Sequence, residues 1–222
     1  MTEYSKFYGT NDPRDVPLYG ATEAARIIRG IPTSTLRGWF SGETSVLDPS
    51  GIDPITLSFN DIIEASILRA LRVTHNLKLS SVRRAINYAK IELGVERPLL
   101  SKDLLTDGVG LILNHYGKYV QLTPSRQLLI ETLIHSQFQR IEWDENSMAQ
   151  RIYPDVDGYA GSRHVCVDPL ILFGQATVSN KRISTNIIFD RFNDGDSVEY
   201  LMADYGLTGP EVKSAIVFEE AA

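Results

Sequence analysis

The sequence predicts a mainly α chain with small β elements, an α+β fold. Its expected parts are an N-terminal winged helix-turn-helix, a small α/β connector, and a C-terminal strand pair plus trihelical bundle. Three observations predict it. Residues 20–40, GATEAARIIRGIPTSTLRGWF, read as helix, glycine turn and helix. Phe59, Ile62, Ile63, Ser66, Ile67, Ala70 and Leu71 recur at i, i+3, i+4, i+7, i+8, i+11 and i+12, one face of an α-helix. From residue 160 onward, two short β-rich pieces precede three helical patterns with their own caps and stops.

Residues 1–18 hold Gly9, Asn11, Asp12, Pro13 and Pro17 with little periodicity and read as an arm, in which Lys6 and Arg14 are the candidates to touch phosphate. Ala24, Ala25 and Ile28 then share a helix face. Glu23 suits the helix N-terminus, and Gly30 supplies the left-handed stop. A second helix from Pro32 turns Leu36, Trp39 and Phe40 inward and leaves Thr33, Ser34, Thr35 and Arg37 on a polar face. Hydroxyls meet phosphates and a forked guanidinium reads guanine edges, so these four are the candidate DNA-binding residues. Residues 44–47 and 55–57 flank Asp48-Pro49-Ser50-Gly51 as a wing hairpin. Its Glu43, Asp48 and Asp53 would be repelled by DNA, which leaves the wing a packing role. Ser58 and Asp61 form a capping box for the striped helix, with Asp replacing the usual Glu. Arg69 and Arg72 lie outside its stripe. A further helix, capped by Ser80 and stopped by Gly94, buries Val82, Ala85, Ile86, Ala89 and Leu93. Residues 19–94 make one DNA-binding unit.

In the connector, residues 95–159, strands are expected at 98–106, 110–113 and 119–122, a helix at 127–138, and a hairpin from 141–143 and 148–153. Residues 155–161 read as a linker to a separate unit, 160–222. There, residues 165–167 and 176–178 are strands, with a turn at Asp168-Pro169. Asn180 takes positive φ in the next turn. Helices follow from Ser184, from Ser197 to the stop at Gly206, and from the cap Thr208, with Pro210 in the first turn.

Composition bounds the function. Of 222 residues, 43% are hydrophobic and 23% charged, the balance of a globular chain long enough for one or two cores. The net charge of −6 is uneven: residues 1–90 hold 11 Lys/Arg against 9 Asp/Glu, and residues 91–222 hold 11 against 19. The half with the candidate DNA contacts is weakly basic, and the other is acidic. Cys166 is the sole cysteine, so no intrachain disulfide forms. No signal peptide or 18-residue apolar run is present, so the expectation is a cytoplasmic protein without a membrane partner. His75, His115, His135 and His164 lack metal-ligand spacing, and no phosphate loop or nucleophile elbow occurs. A non-enzyme without cofactor is expected, with no catalytic and no metal-binding residues.

Thr35-Leu36-Arg37 followed by Trp39-Phe40, with the two helix pairs of residues 19–94, resembles the DNA-binding domain of MerR-type winged helix-turn-helix regulators. The tail is similar to a small antitoxin family long labelled a domain of unknown function, number 433, whose members neutralise PIN-like ribonuclease toxins. The matched pieces are Val167-Asp168-Pro169, Phe173-Gly174-Gln175, residues 181–185, Asp194-Gly195-Asp196-Ser197 and residues 203–208. It departs at Gly174-Gln175-Ala176, where the family has Gly-Lys-Pro, and at residues 180–184, where the family has Gly-Thr-Arg-Ile-Pro. Together the halves resemble a VapB-type antitoxin. This implies repression of its own operon, two protein partners (a second copy in a homodimer and a PIN-like toxin) and double-stranded DNA. PIN-like active sites gather carboxylates around a divalent metal, so Lys181 and Arg182 are the candidates for insertion and Phe173 and Phe189 for apolar anchors. The alternative is a stand-alone MerR-like regulator with a ligand-binding connector.

Overall fold

A short antiparallel sheet gathers the first helices. Tyr19–Gly20 (β1) and the hairpin Gly51–Ile52 (β2) and Ile55–Leu57 (β3) pair in the order β1-β3-β2, with Tyr19 opposite Leu57 and Ile52 opposite Ile55. Between β1 and β2 run Ala21–Ile28 (α1) and Thr33–Phe40 (α2). After β3 come Phe59–Val73 (α3) and Leu79–Glu92 (α4). This computed structural model describes residues 11–42, 45–52, 55–73, 79–92, 94–100, 135–179 and 181–221. They form a mixed α+β fold.

The capping box of α3 is closed in both directions: Ser58 N donates to Asp61 Oδ2 at 2.9 Å, and Asp61 N donates to Ser58 Oγ at 3.2 Å. The apolar stripe is only part of what α3 buries. Every residue from Phe59 to Leu68 is buried, polar ones included. Most of those polar groups are matched by neighbours, as buried polar atoms require, with Asn60 Oδ1 left without a partner among the described residues. Asn60 Nδ2 donates to Asp15 at 2.7 Å, Ser66 Oγ donates to Ile63 O at 2.8 Å, and Arg97 pairs with both Asp61 and Glu64. Burial pushes the Glu64 carboxyl above its ordinary value, against the pull of Arg97.

Five strands form the second sheet. Ile141–Trp143 (β4), Ala149–Ile152 (β5), Val165–Val167 (β6), Ala176–Val178 (β7) and Ile183–Ser184 (β8) run as an antiparallel meander in sequence order. The helices Thr185–Asn193 (α5), Val198–Tyr205 (α6) and Gly209–Glu220 (α7) follow. Their caps match the sequence: Ser197 accepts from Tyr200 N, Gly206 ends α6 at φ 61°, and Thr208 with Glu211 forms a complete capping box. Val178, Ile188, Leu201, Leu207, Val212, Ala215 and Ile216 make a core for these helices.

Several expectations change. The sheet crosses the expected 159/160 boundary, because Ile152 of β5 pairs with Val167 of β6. A two-stranded ribbon is marginal alone, and pairing with β5 covers an edge of β6. Phe218 of α7 also joins the core of Tyr19, Ile27 and Phe59. The expected strand at 44–47 is absent among its described residues: Val46 N and Leu47 N both donate to Trp39 O, folding the chain back on α2. Ser80 lies inside α4, which begins at Leu79. Pro98–Leu100 is a 3-10 turn packed on α3, where a strand was expected. Proline limits φ and offers no N–H to a ladder. The rest of that strand, those at 110–113 and 119–122, and residues 127–134 of the expected helix lie outside the described residues; residues 135–138 are helical. Arg14 is drawn inward: it pairs with Asp12 at 2.6 Å and with Asp144 at 2.8 Å. Lys6 and Asn180 lie outside the described residues.

Candidate nucleic-acid interface and partner surfaces

The turn between α1 and α2 is made by two successive left-handed residues. Arg29, at φ 61°, donates its N–H to Ala25 O at 2.8 Å, and Gly30 follows at φ 63°. A Cβ on Gly30 would stand 2.5 Å from a guanidinium nitrogen of Arg69, so glycine is required there by conformation and by space. The Arg29 side chain is buried and held by the carbonyl of Asp155 at 2.9 Å and by Asp157 at 3.3 Å.

Pro32 leads into α2, whose Leu36, Trp39 and Phe40 are buried. Ser34, Thr35 and Arg37 are exposed, and Thr33 is half-buried at the N-terminus. The four expected contact residues therefore lie on one short helix, with their apolar neighbours fixing its roll. Among the described residues no carboxylate pairs with Arg37, whereas Arg14, Arg26, Arg29 and Arg97 are all in ion pairs. A helix face carrying hydroxyls and one unneutralised guanidinium suits a polyanion. The segment leading into the β2–β3 hairpin is tied to the later helices: Ser50 N donates to Asp61 Oδ2 of α3 at 3.0 Å, and Asp48 is neutralised by Lys90 of α4 at 2.9 Å.

The candidates of the tail do not form one patch. Phe173 precedes β7, and Lys181 and Arg182 follow it, so the meander sets them at opposite ends of that strand. Lys181 and Arg182 are exposed, and Arg182 takes the left-handed conformation at φ 53°. Phe189 is half-buried against the helical core. Phe173 is 43% exposed and stands with exposed Leu170 and Leu172. Leu172, Phe173 and Gly174 all have positive φ, of 46°, 54° and 80°. Two bulky residues held there store backbone strain. Tyr19 Oη braces the loop by donating to Gly174 O at 3.0 Å.

Sequence reasoning missed Leu170 and Leu172; the aperiodic run Leu170-Ile171-Leu172-Phe173 between proline and glycine was their only signal. It also missed exposed Ile187, Phe192 and Tyr200 on α5 and α6. Arg191 sits among them, bonded to Asp196 at 2.7 Å and stacked on Tyr200 and Tyr205. Cys166 is buried in β6, and burial pushes its thiol up, away from the reactive thiolate. Among the described residues no cluster of three metal-ligating side chains occurs, and no helix is long and apolar enough to cross a membrane.

The whole arrangement is similar to the crystal structure of Rv2018 from Mycobacterium tuberculosis, with a TM-score of 0.71 and 22% identity over 90% of this chain and 98% of that chain. That likeness concerns the fold alone. No curated protein matches the sequence. Residues 165–218, from β6 to near the end of α7, match the family described as "Protein of unknown function (DUF433)".

Proposed function

We propose that the chain is the antitoxin of a type II toxin-antitoxin system, binding and neutralising a PIN-like ribonuclease toxin and repressing its own operon. The observation that carries the reading is the polar face of α2, with Thr33, Ser34, Thr35 and an Arg37 that has no ion-pair partner among the described residues, above buried Leu36, Trp39 and Phe40. The family match over residues 165–218 agrees with the resemblance of the tail to that family, and the neutralisation of PIN-like toxins is what the resemblance implies. The apolar Leu170–Phe173 loop supplies the anchor that tight protein complexes bury, and Lys181 and Arg182 are the cations for a carboxylate-rich toxin site. The protein binds its operator as a homodimer, because one short helix makes few contacts and twofold readers join two half-sites about one helical turn apart. Binding of the full chain to its own promoter region at two salt concentrations tests the DNA half, with loss in Arg37→Ala as the expected result.

One observation favours a second reading, a stand-alone MerR-like regulator whose connector binds a ligand. A cavity of about 520 Å³ is walled in part by Ser136, Gln137, Gln139 and Arg140, the described end of the connector. Absence of any toxin partner, with DNA binding retained, selects it.

A further inference from the structure

That cavity has an unusual balance of charge. Arg69 from α3, Arg140 before β4 and Arg163 before β6 line it, and Asp155 is the only carboxylate among its described lining residues. Arg140 is fixed: its Nε and Nη2 donate to Tyr153 O at 2.9 and 2.7 Å, and Nη1 pairs with Asp155. Arg163 is also placed, with Nη2 donating to Gln139 O at 2.8 Å and its guanidinium 4.8 Å from the centre of the Tyr153 ring. Its carboxylate partner, Glu142, is 3.5 Å away and is shared with Arg151 at 3.3 Å.

Arg69 completes the set. Among the described residues it has no ion-pair partner, and its Nε is buried without a hydrogen bond. Ser162 Oγ, in the same wall, is likewise buried and unbonded among the described residues. Such orphaned donors are costly to bury, the more so when charged. Burial pushes the Arg140 guanidinium below its ordinary value, Asp155 opposes this, and the charge of Arg69 adds to the push. Arginine does not release its proton in proteins, so a counter-anion is what relieves such a cluster. Phosphate fits the donors, because a planar guanidinium meets two of its oxygens at once.

We propose that this cavity binds a doubly charged oxyanion of the phosphate type, either free or as the phosphate group of a small molecule, on Arg69, Arg140 and Arg163. The assignment is independent of the toxin and operator reading. Inorganic phosphate is the probe, added to the full chain during thermal unfolding, with chloride at matched ionic strength as reference. The expected result is a saturable rise in Tm of about 3–6 °C with phosphate tenfold above its Kd. Arg69→Gln and Arg163→Gln should each reduce it to less than a third; the exposed Arg163 serves if the α3 variant fails to fold. A rise that chloride reproduces, one that never saturates, or one kept by the variants that fold overturns the proposal. A second arm compares Arg69→Gln with the unaltered chain on duplex DNA. Equal affinity and salt slope support a small-anion site. A tenfold loss with the slope smaller by about one would place a DNA backbone phosphate here and overturn it.

Discussion

Gly174→Ala should be among the most damaging single changes in this protein, and the reason lies 155 positions away in the sequence. Gly174 is buried at φ 80°, and a Cβ built there lies 2.1 Å from Tyr19 Oη. The left-handed backbone costs an L-residue roughly 1–2 kcal/mol, displacement of the tyrosine about 1–3, and loss of its hydrogen bond about 1, for a total of about 3–6 kcal/mol. Urea unfolding followed by fluorescence measures it as a lowered midpoint at unchanged slope. Tyr19→Phe alone removes only the hydroxyl and should cost about 1–3 kcal/mol, since the carbonyl of Gly174 is left unpaired. In the double variant the nearest ring atom is Cζ, 3.0 Å from the new methyl, so most of the clash is gone. The two changes should therefore be less than additive by at least about 1 kcal/mol. A Gly174→Ala variant within about 0.5 kcal/mol of the unaltered chain, or strict additivity, would refute the brace between β1 and the β6–β7 loop.

Arg37→Ala should weaken duplex binding by about 1–3 kcal/mol and lower the salt slope by about one, with stability unchanged within about 0.5 kcal/mol; a filter-binding titration at two salt concentrations reads the first and urea unfolding the second. Thr208→Ala should lose about 1 kcal/mol, because Glu211 N loses the hydroxyl it donates to while the backbone N–H of residue 208 keeps Glu211 Oε2, as seen in a lowered urea midpoint. Asp12 has a pKa held below its ordinary value of 3.8, first by the side-chain bond from Arg14. Its contribution is thus fully present above that value and fades as pH falls below it, so Asp12→Asn should flatten part of the acid limb of a stability-against-pH curve and leave the neutral region parallel. Sedimentation of the purified chain should give a dimer; a monomer at high concentration and on DNA would end the twofold operator model.

Local chemistry was legible in the sequence, and long-range partnership was not. Ser58 with Asp61, Ser197, Gly206, and Thr208 with Glu211 are each recognisable from residues within four positions, because caps are satisfied by neighbouring backbone groups. The β4–β5 hairpin was readable for the same reason, with Asp144 accepting from Asn146 N and Met148 N. The join of β5 to β6 was not, since Ile152 and Val167 suit any apolar strand partner. Burial of α3 on all sides was hidden by Asn60, Asp61 and Glu64, whose partners Asp15 and Arg97 lie far off in the chain. The polar face of α2 followed from period alone. The arginine cavity did not, because Arg69, Arg140 and Arg163 come from three distant segments. Nor did the separation of Phe173 from Lys181 and Arg182, which only the meander imposes.

The shared sheet and the Phe218 contact argue against cutting the chain at residue 160 to isolate the tail, so the central test uses the full protein. The product of the adjacent reading frame, whatever its size, is co-expressed with it, purified, and assayed for ribonuclease activity with and without the full chain. A stable complex is expected, in which activity vanishes at a fixed stoichiometry and returns in part with Lys181→Ala/Arg182→Ala. Ribonuclease activity that the full chain leaves unchanged, or an adjacent product that does not bind it, would contradict the antitoxin reading.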